Sequence, residues 1–217
     1  MTGAVGFDLD MTLIDSRPGI AAAYRALTAQ TGVFVDADLA VSRLGPPLRT
    51  ELRNWFPADD LEAAVTAYRT LYAEHAIVPT RSMPGAVEAL RAVRALGLRV
   101  VVVTSKIGRL AALHLKHLDL VADELAGDLF AEGKAAALTE HGVRWYVGDH
   151  VGDMVAARTA GVPGIGVATG PCGADELRAA GASYVLDDLT ALPDLLRRIT
   201  VGSGTNSSIA LKSRSSE

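Results

Sequence analysis

The chain of 217 residues has one cysteine, Cys172, and only four lysines, Lys106, Lys116, Lys134 and Lys212. A lone thiol excludes an internal disulfide framework and fits a reducing cytoplasm. No apolar run approaches the ~20 residues of a bilayer-spanning helix, and no basic-then-apolar leader is seen, so neither a membrane partner nor an export signal is expected. Positive charge is not in excess: 21 Lys and Arg stand against 25 Asp and Glu, for a net charge of −4. Non-specific nucleic-acid binding needs clustered cations, so that partner class is excluded too. What remains is 49% hydrophobic, enough to bury a core in one domain or a domain with an insert.

Short β-branched or apolar runs recur along the chain as strands: "AVGFDL", "LRVVVVTS" (98–105), "VRWYVGD", "VPGIGVATG" and, more weakly, "ASYVLDD". Helical stretches lie between them at 84–96, 107–118, 132–141, 151–160 and 174–180. Gly97, Gly142, Gly161 and Gly181 stand where a left-handed helix stop is usual. Alternating strands and helices predict an α/β fold, a doubly wound, Rossmann-like parallel sheet covered on both faces, with ligands at the carboxyl ends of the strands. Residues 16–81 break the rhythm with helical pattern at 18–31, 47–55 and 58–77, and prolines between. This predicts a small helical insert joined by two crossings, near 15–17 and 79–84, to a catalytic core of 1–15 and 82–200, a plausible hinged lid. The Ser-rich stretch 201–217 is expected to be a disordered tail.

The strand ends carry the chemistry. Asp8 and Asp10 end the first strand in "FDLDMTLIDS", Thr104 and Ser105 end "LRVVVVTS", and Asp149 and Asp153 lie in "GDHVGD". Convergence of these carboxylates on one crevice calls for a divalent cation between them, and a hard, oxygen-seeking ion such as Mg²⁺ suits carboxylates.

"DLDMTLID", "VVVTSK", Lys134 in "AEGKAAAL" and "GDHVGD" stand in the order and spacing of the motifs of the haloacid dehalogenase-like hydrolase superfamily. The resemblance covers nearly all of 4–198, and the insert resembles the C1 cap of the phosphoglycolate phosphatase-like branch. Many members have Gly where Met11 stands, so a bulkier pocket floor is expected here. The resemblance implies a phosphoric monoester hydrolase acting on a small phosphorylated metabolite. Asp8 would be the nucleophile, forming an aspartyl-phosphate, and Asp10 the general acid and base. Thr104, Ser105 and Lys134 would bind the phosphoryl oxygens. Mg²⁺ would be held by Asp8, the Asp10 carbonyl and Asp149, with Asp153 orienting a metal-bound water or Lys134.

Neighbouring activities separate on single residues. Dehalogenating members lack the second aspartate, which is present as Asp10, and the phosphonoacetaldehyde-cleaving branch needs a cap lysine, whereas 16–81 has none. A sugar phosphomutase shares the core residues and stays open, as does, among non-enzymes, a phospho-Asp receiver module. Structural alternatives also stand beside each residue: turn residues for Asp8 and Asp10, a helix cap for Ser105 or Asp153, a solvated surface for Lys134. His114 and His117 share a helix face and are expected to be solvated. His150 is expected to be an exposed loop residue, Cys172 has no activating neighbour, and Arg17, Arg43, Arg49 and Arg53 are expected mainly in surface ion pairs.

Overall fold

The computed structural model describes residues 3–44, 47–130 and 132–202. Most of the expected tail, 203–217, lies outside the described residues, and its first two positions close the last helix.

The first strand, β1 (Ala4–Phe7), is followed by a short β2 (Ile14–Asp15) and then by helices α1 (Arg17–Thr31), α2 (Ala37–Ser42), α3 (Leu48–Leu52) and α4 (Leu61–His75). A two-residue β3 (Arg81–Ser82) returns antiparallel to β2, so both chain crossings meet side by side. The helices between share an apolar cluster of their own that includes Tyr24, Leu27, Leu52, Val65, Tyr68 and Tyr72.

After β3 the chain alternates: α5 (Ala86–Ala95), β4 (Arg99–Val103), α6 (Gly108–His117), β5 (Glu124–Ala126), α7 (Glu132–Glu140), β6 (Val143–Gly148), α8 (Val151–Thr159), β7 (Gly164–Val167), α9 (Ala174–Ala179), β8 (Ala182–Leu186) and α10 (Leu192–Gly202). Six strands pair in parallel in the order β5-β4-β1-β6-β7-β8. The alternation of a pleated strand sends successive side chains to opposite faces. Val100 and Val102 accordingly enter one core with α5 and α10, while Val101 and Val103 enter another with α7 and α8. The expected glycine stops hold: Gly97, Gly142, Gly161 and Gly181 all have positive φ.

Two core elements were not expected. Strand β5, "ELA", is a half-buried edge strand of three residues, too short to show a period. Helix α10 buries Leu192, Leu195 and Leu196 against the sheet, with Ile199 packed beside them. The helical spacing of these residues was legible in the sequence.

Candidate active site

In this topology the chain leaves β1 for β4 on one side and later returns to β6 on the other, so the carboxyl ends of β4, β1 and β6 bound one crevice. Asp8 continues β1, its N–H donating to the Val147 carbonyl at 2.8 Å. The chain then closes a compact turn in which the Leu9 carbonyl accepts from Leu13 and Ile14 at 2.9 and 3.0 Å. Met11 takes a left-handed φ of 60° there. That conformation costs a side-chain-bearing residue roughly 1–2 kcal/mol and suits glycine.

Asp8, Asp149 and Asp153 are all buried, and each offers a carboxylate oxygen within 4.8 Å of the others. Lys134, on the first turn of α7, donates from Nζ to Asp8 Oδ1 at 2.9 Å and to Asp153 Oδ1 at 2.7 Å. It is buried and paired, not a solvated surface lysine. Besides pairing with Lys134, Asp153 caps a helix, since its second oxygen accepts from the His150 N–H at 3.1 Å in the capping box of α8. Tyr146 seals the site from below, its hydroxyl 3.2 Å from Asp153 Oδ1. Glycines let the acids approach the backbone: a Cβ on Gly148 would come within 2.5 Å of the Asp153 carboxyl, and one on Gly170 would overlap Asp149.

The charges do not balance. Burial pushes the Asp8 carboxyl up to about 6, against the pull of Lys134. Burial and the charges of Asp8 and Asp153 push Asp149 up to about 8, opposed mainly by a 2.9 Å hydrogen bond from the Thr12 hydroxyl. Three carboxyl groups thus lie together beside one ammonium, which pairs with Asp8 and Asp153. A divalent cation would supply the missing charge, and the all-carboxylate donor set suits a hard ion.

Asp10 points elsewhere. Both of its oxygens accept from Lys106 Nζ, at 2.8 and 2.9 Å. Burial alone would raise its carboxyl, but Lys106 and the neighbouring Ser16 hydroxyl hold it below the usual value. Thr104 is buried, its hydroxyl accepting from the Lys106 N–H at 3.2 Å. Ser105 is exposed and does not cap α6, which starts from Ile107.

Sequence reasoning missed Lys106 and Thr12 as partners of Asp10 and Asp149. The available signal was lysine scarcity: of four lysines, this crevice takes two, Lys106 and Lys134. One expectation is overturned. His114 is not solvated but fully buried, with Nε2 3.0 Å from the Tyr72 hydroxyl of α4, whereas His117 is exposed. His150 is exposed but caps α8. Cys172 is buried, which pushes its thiol up and away from reactivity. Arg17, Arg43 and Arg49 form ion pairs with Asp15, Glu51 and Glu62.

Buried carboxyl groups and a buried lysine at the carboxyl ends of a parallel sheet are the kinds of group that can attack and hold a phosphate ester. The chain matches the haloacid dehalogenase-like hydrolase family over residues 5–158 and a HAD-hydrolase-like family over 133–192. It is 34% identical to phosphoglycolate phosphatase of Neisseria gonorrhoeae over 77% of this chain and 80% of that protein. It is 32% identical to a 5′-nucleotidase of Pseudomonas aeruginosa, covering 88% of this chain and 93% of that protein. A haloacid dehalogenase-like hydrolase from Streptococcus pneumoniae has the same fold, with TM-score 0.77 at 23% identity over 92% of this chain and 98% of that one. The chain belongs to the haloacid dehalogenase-like hydrolase family, and it is a phosphatase, a phosphoric monoester hydrolase.

Proposed function

We propose that this phosphatase is Mg²⁺-dependent and hydrolyses a small phosphorylated metabolite, a phosphoglycolate-like phosphomonoester, through an aspartyl-phosphate on Asp8. The observation that carries the proposal is the cluster of three buried carboxyl groups, Asp8, Asp149 and Asp153, beside one ammonium, Lys134, which pairs with Asp8 and Asp153. Asp8, Asp149 and the Asp10 carbonyl would hold the ion, whose chemistry is to offset the carboxylate charge and that of the phosphoryl oxygens.

The chain's own groups do the rest. In the substrate complex the phosphoryl charge offsets the pull of Lys106 and raises Asp10, so that it carries a proton; Asp8 Oδ attacks phosphorus as the bond to the leaving oxygen breaks, and Asp10 gives that oxygen its proton. Once the alcohol has left, Asp10 takes a proton from the water that attacks the aspartyl-phosphate, and inorganic phosphate departs. The Thr104 hydroxyl and the Ser105 N–H hold phosphoryl oxygens, and Lys134 places positive charge beside Asp8 throughout. Asp153 fixes the Lys134 ammonium. The leaving group would lie in the crevice of about 380 Å³ that runs from Gly170 and Thr169 past Met11 to Arg17, Asp38 and Leu44 of the helical insert. The lone Cys172 and the acidic surface fit a cytoplasmic enzyme with a small-molecule partner.

The test is phosphate release from a panel of phosphomonoesters, phosphoglycolate and 5′-nucleotides among them, with Mg²⁺ or with chelator. Asp8→Asn, nearly isosteric and a poor nucleophile, is expected to fold and to lose turnover by roughly 10³-fold or more. Full activity in excess EDTA, or an active Asp8→Asn, would sink the mechanism. Turnover in H₂¹⁸O that labels the released phosphate separates water from a sugar hydroxyl as acceptor, and so hydrolysis from phosphomutation.

A further inference from the structure

The chemistry at Asp8 and Asp10 leaves the Lys106 ammonium without a task, although it makes a two-pronged contact with Asp10. We infer that Lys106 is a positioning residue for Asp10, and that Tyr72 of the helical insert holds Lys106 there. A docked insert and a correctly aimed Asp10 are then one state. The inference rests on the proposed role of Asp10 as proton donor to the leaving oxygen.

Contact to both carboxylate oxygens fixes the rotation of the Asp10 carboxylate, which contact to one would not. The Lys106 backbone is itself immobilised. Its N–H donates to Thr104 Oγ1 at 3.2 Å, and its carbonyl accepts from the Asp128 N–H at 2.9 Å. A Cβ on Gly127 would lie 2.9 Å from that carbonyl and 2.5 Å from Gly108 Cα, so the loop has no slack. Only the side chain is adjustable, and its head lies 4.9 Å from the centre of the Tyr72 ring, within cation–π range.

Tyr72 belongs to α4, in the insert, yet its hydroxyl is held by His114 of α6, in the sheet domain, at 3.0 Å. Burial keeps His114 neutral, with its pKa pushed down to about 4, so it adds no charge against Lys106. Leu110, one turn earlier on α6, packs into the apolar cluster of the insert. The stretch from Thr104 to His114 therefore touches Asp10 at one end and the insert at the other. Lifting α4 would strip Lys106 of its aromatic face and admit water to the Asp10 pair.

The test uses leaving groups of different demand. Proton donation matters for an alkyl alcohol and hardly at all for p-nitrophenolate, which departs as an anion. Lys106→Met and Tyr72→Leu are expected to lower kcat/KM for alkyl phosphates about 100-fold while p-nitrophenyl phosphate stays within about threefold. Lys106→Arg should recover part of the loss. An equal fall for both ester classes would make Lys106 merely structural and overturn the inference. A loss confined to esters whose leaving group carries a carboxylate, with raised KM, would make Lys106 a substrate-anion ligand and overturn it too.

Hydrogen exchange gives a readout independent of turnover, and it decides the inference if the wild-type enzyme hydrolyses none of these esters and the proposed function itself fails. In Lys106→Met, faster exchange in both the 10–16 turn and α4 is expected. A change confined to 104–117 would overturn the link.

Discussion

Replacing Asp149 with asparagine removes the one of three clustered, buried carboxyl groups that Lys134 does not pair with, while keeping an oxygen to accept from Thr12. In chelator at pH 8, Asp149→Asn should therefore melt at a higher temperature than wild type, and, on the proposal of a Mg²⁺ site, it should gain less Tm on adding Mg²⁺ than wild type does. Calorimetry decides this, and a variant that gains as many degrees with Mg²⁺ as wild type would remove Asp149 from the metal site. Met11 poses the opposite balance. Glycine there would relieve roughly 1–2 kcal/mol of left-handed strain, but would add roughly 0.5–1 kcal/mol of backbone entropy and forfeit about 2–3 kcal/mol of side-chain burial. Met11 is 5% exposed and packed in the main core, so we expect Met11→Gly to unfold at lower urea, by about 1–2 kcal/mol. An unchanged or raised midpoint would show that strain dominates. At this scale the sequence was legible where motifs repeat at strand ends, as with Asp8, Thr104 and Asp149. It was not legible for Lys106 and Thr12, whose partners lie 96 and 137 residues away.

Among the elements, α6 is the one whose burial departs most from its sequence. "GRLAALHLKH" has an apolar face toward the sheet and basic residues in its last turn, as suits the negative end of a helix. His114 is one of those basic residues, yet α4 packs over it and removes it from water. Its folded pKa, about 4, lies below the usual 6.5. The unfolded chain therefore binds the proton more tightly, so the stability that His114 contributes is fully present above pH 6.5 and is lost as pH falls toward 4. One such group gives a slope of at most about 1.4 kcal/mol per pH unit. As pH falls from 6.5 to 4, the urea midpoint of His114→Gln should rise relative to that of wild type, and a constant difference between the two would exclude His114 as a contributor. Helix periodicity within α6 could not reveal this, because the covering face comes from a helix in a different unit.

For the whole molecule, the two raised carboxylates produce the opposite slope. Asp8 and Asp149 stand at about 6 and 8 in the folded chain, above the usual 3.8. The folded state holds their protons more tightly, so metal-free stability falls as pH rises from about 4 to 8. His114 works against that trend below pH 6.5, which leaves 6.5–8 as the clean window, governed mainly by Asp149. Metal-free Tm should decline across that window, and added Mg²⁺ should raise Tm more at pH 8 than at pH 5.5. An equal gain at both pH values would contradict the carboxylate site. Most of the alternation of strands and helices, its stops at glycine, and the placing of Asp8, Thr104 and Asp149 at strand ends were determined by the sequence. These depend on local periodicity and backbone preference, which a chain carries along its length. Which lysine serves which aspartate, which carboxylate is left uncompensated, and whether a histidine meets water were decided only by the tertiary structure. Ion pairing and desolvation depend on distances of a few ångströms between residues remote in sequence, and the packing of the insert on the sheet sets those distances.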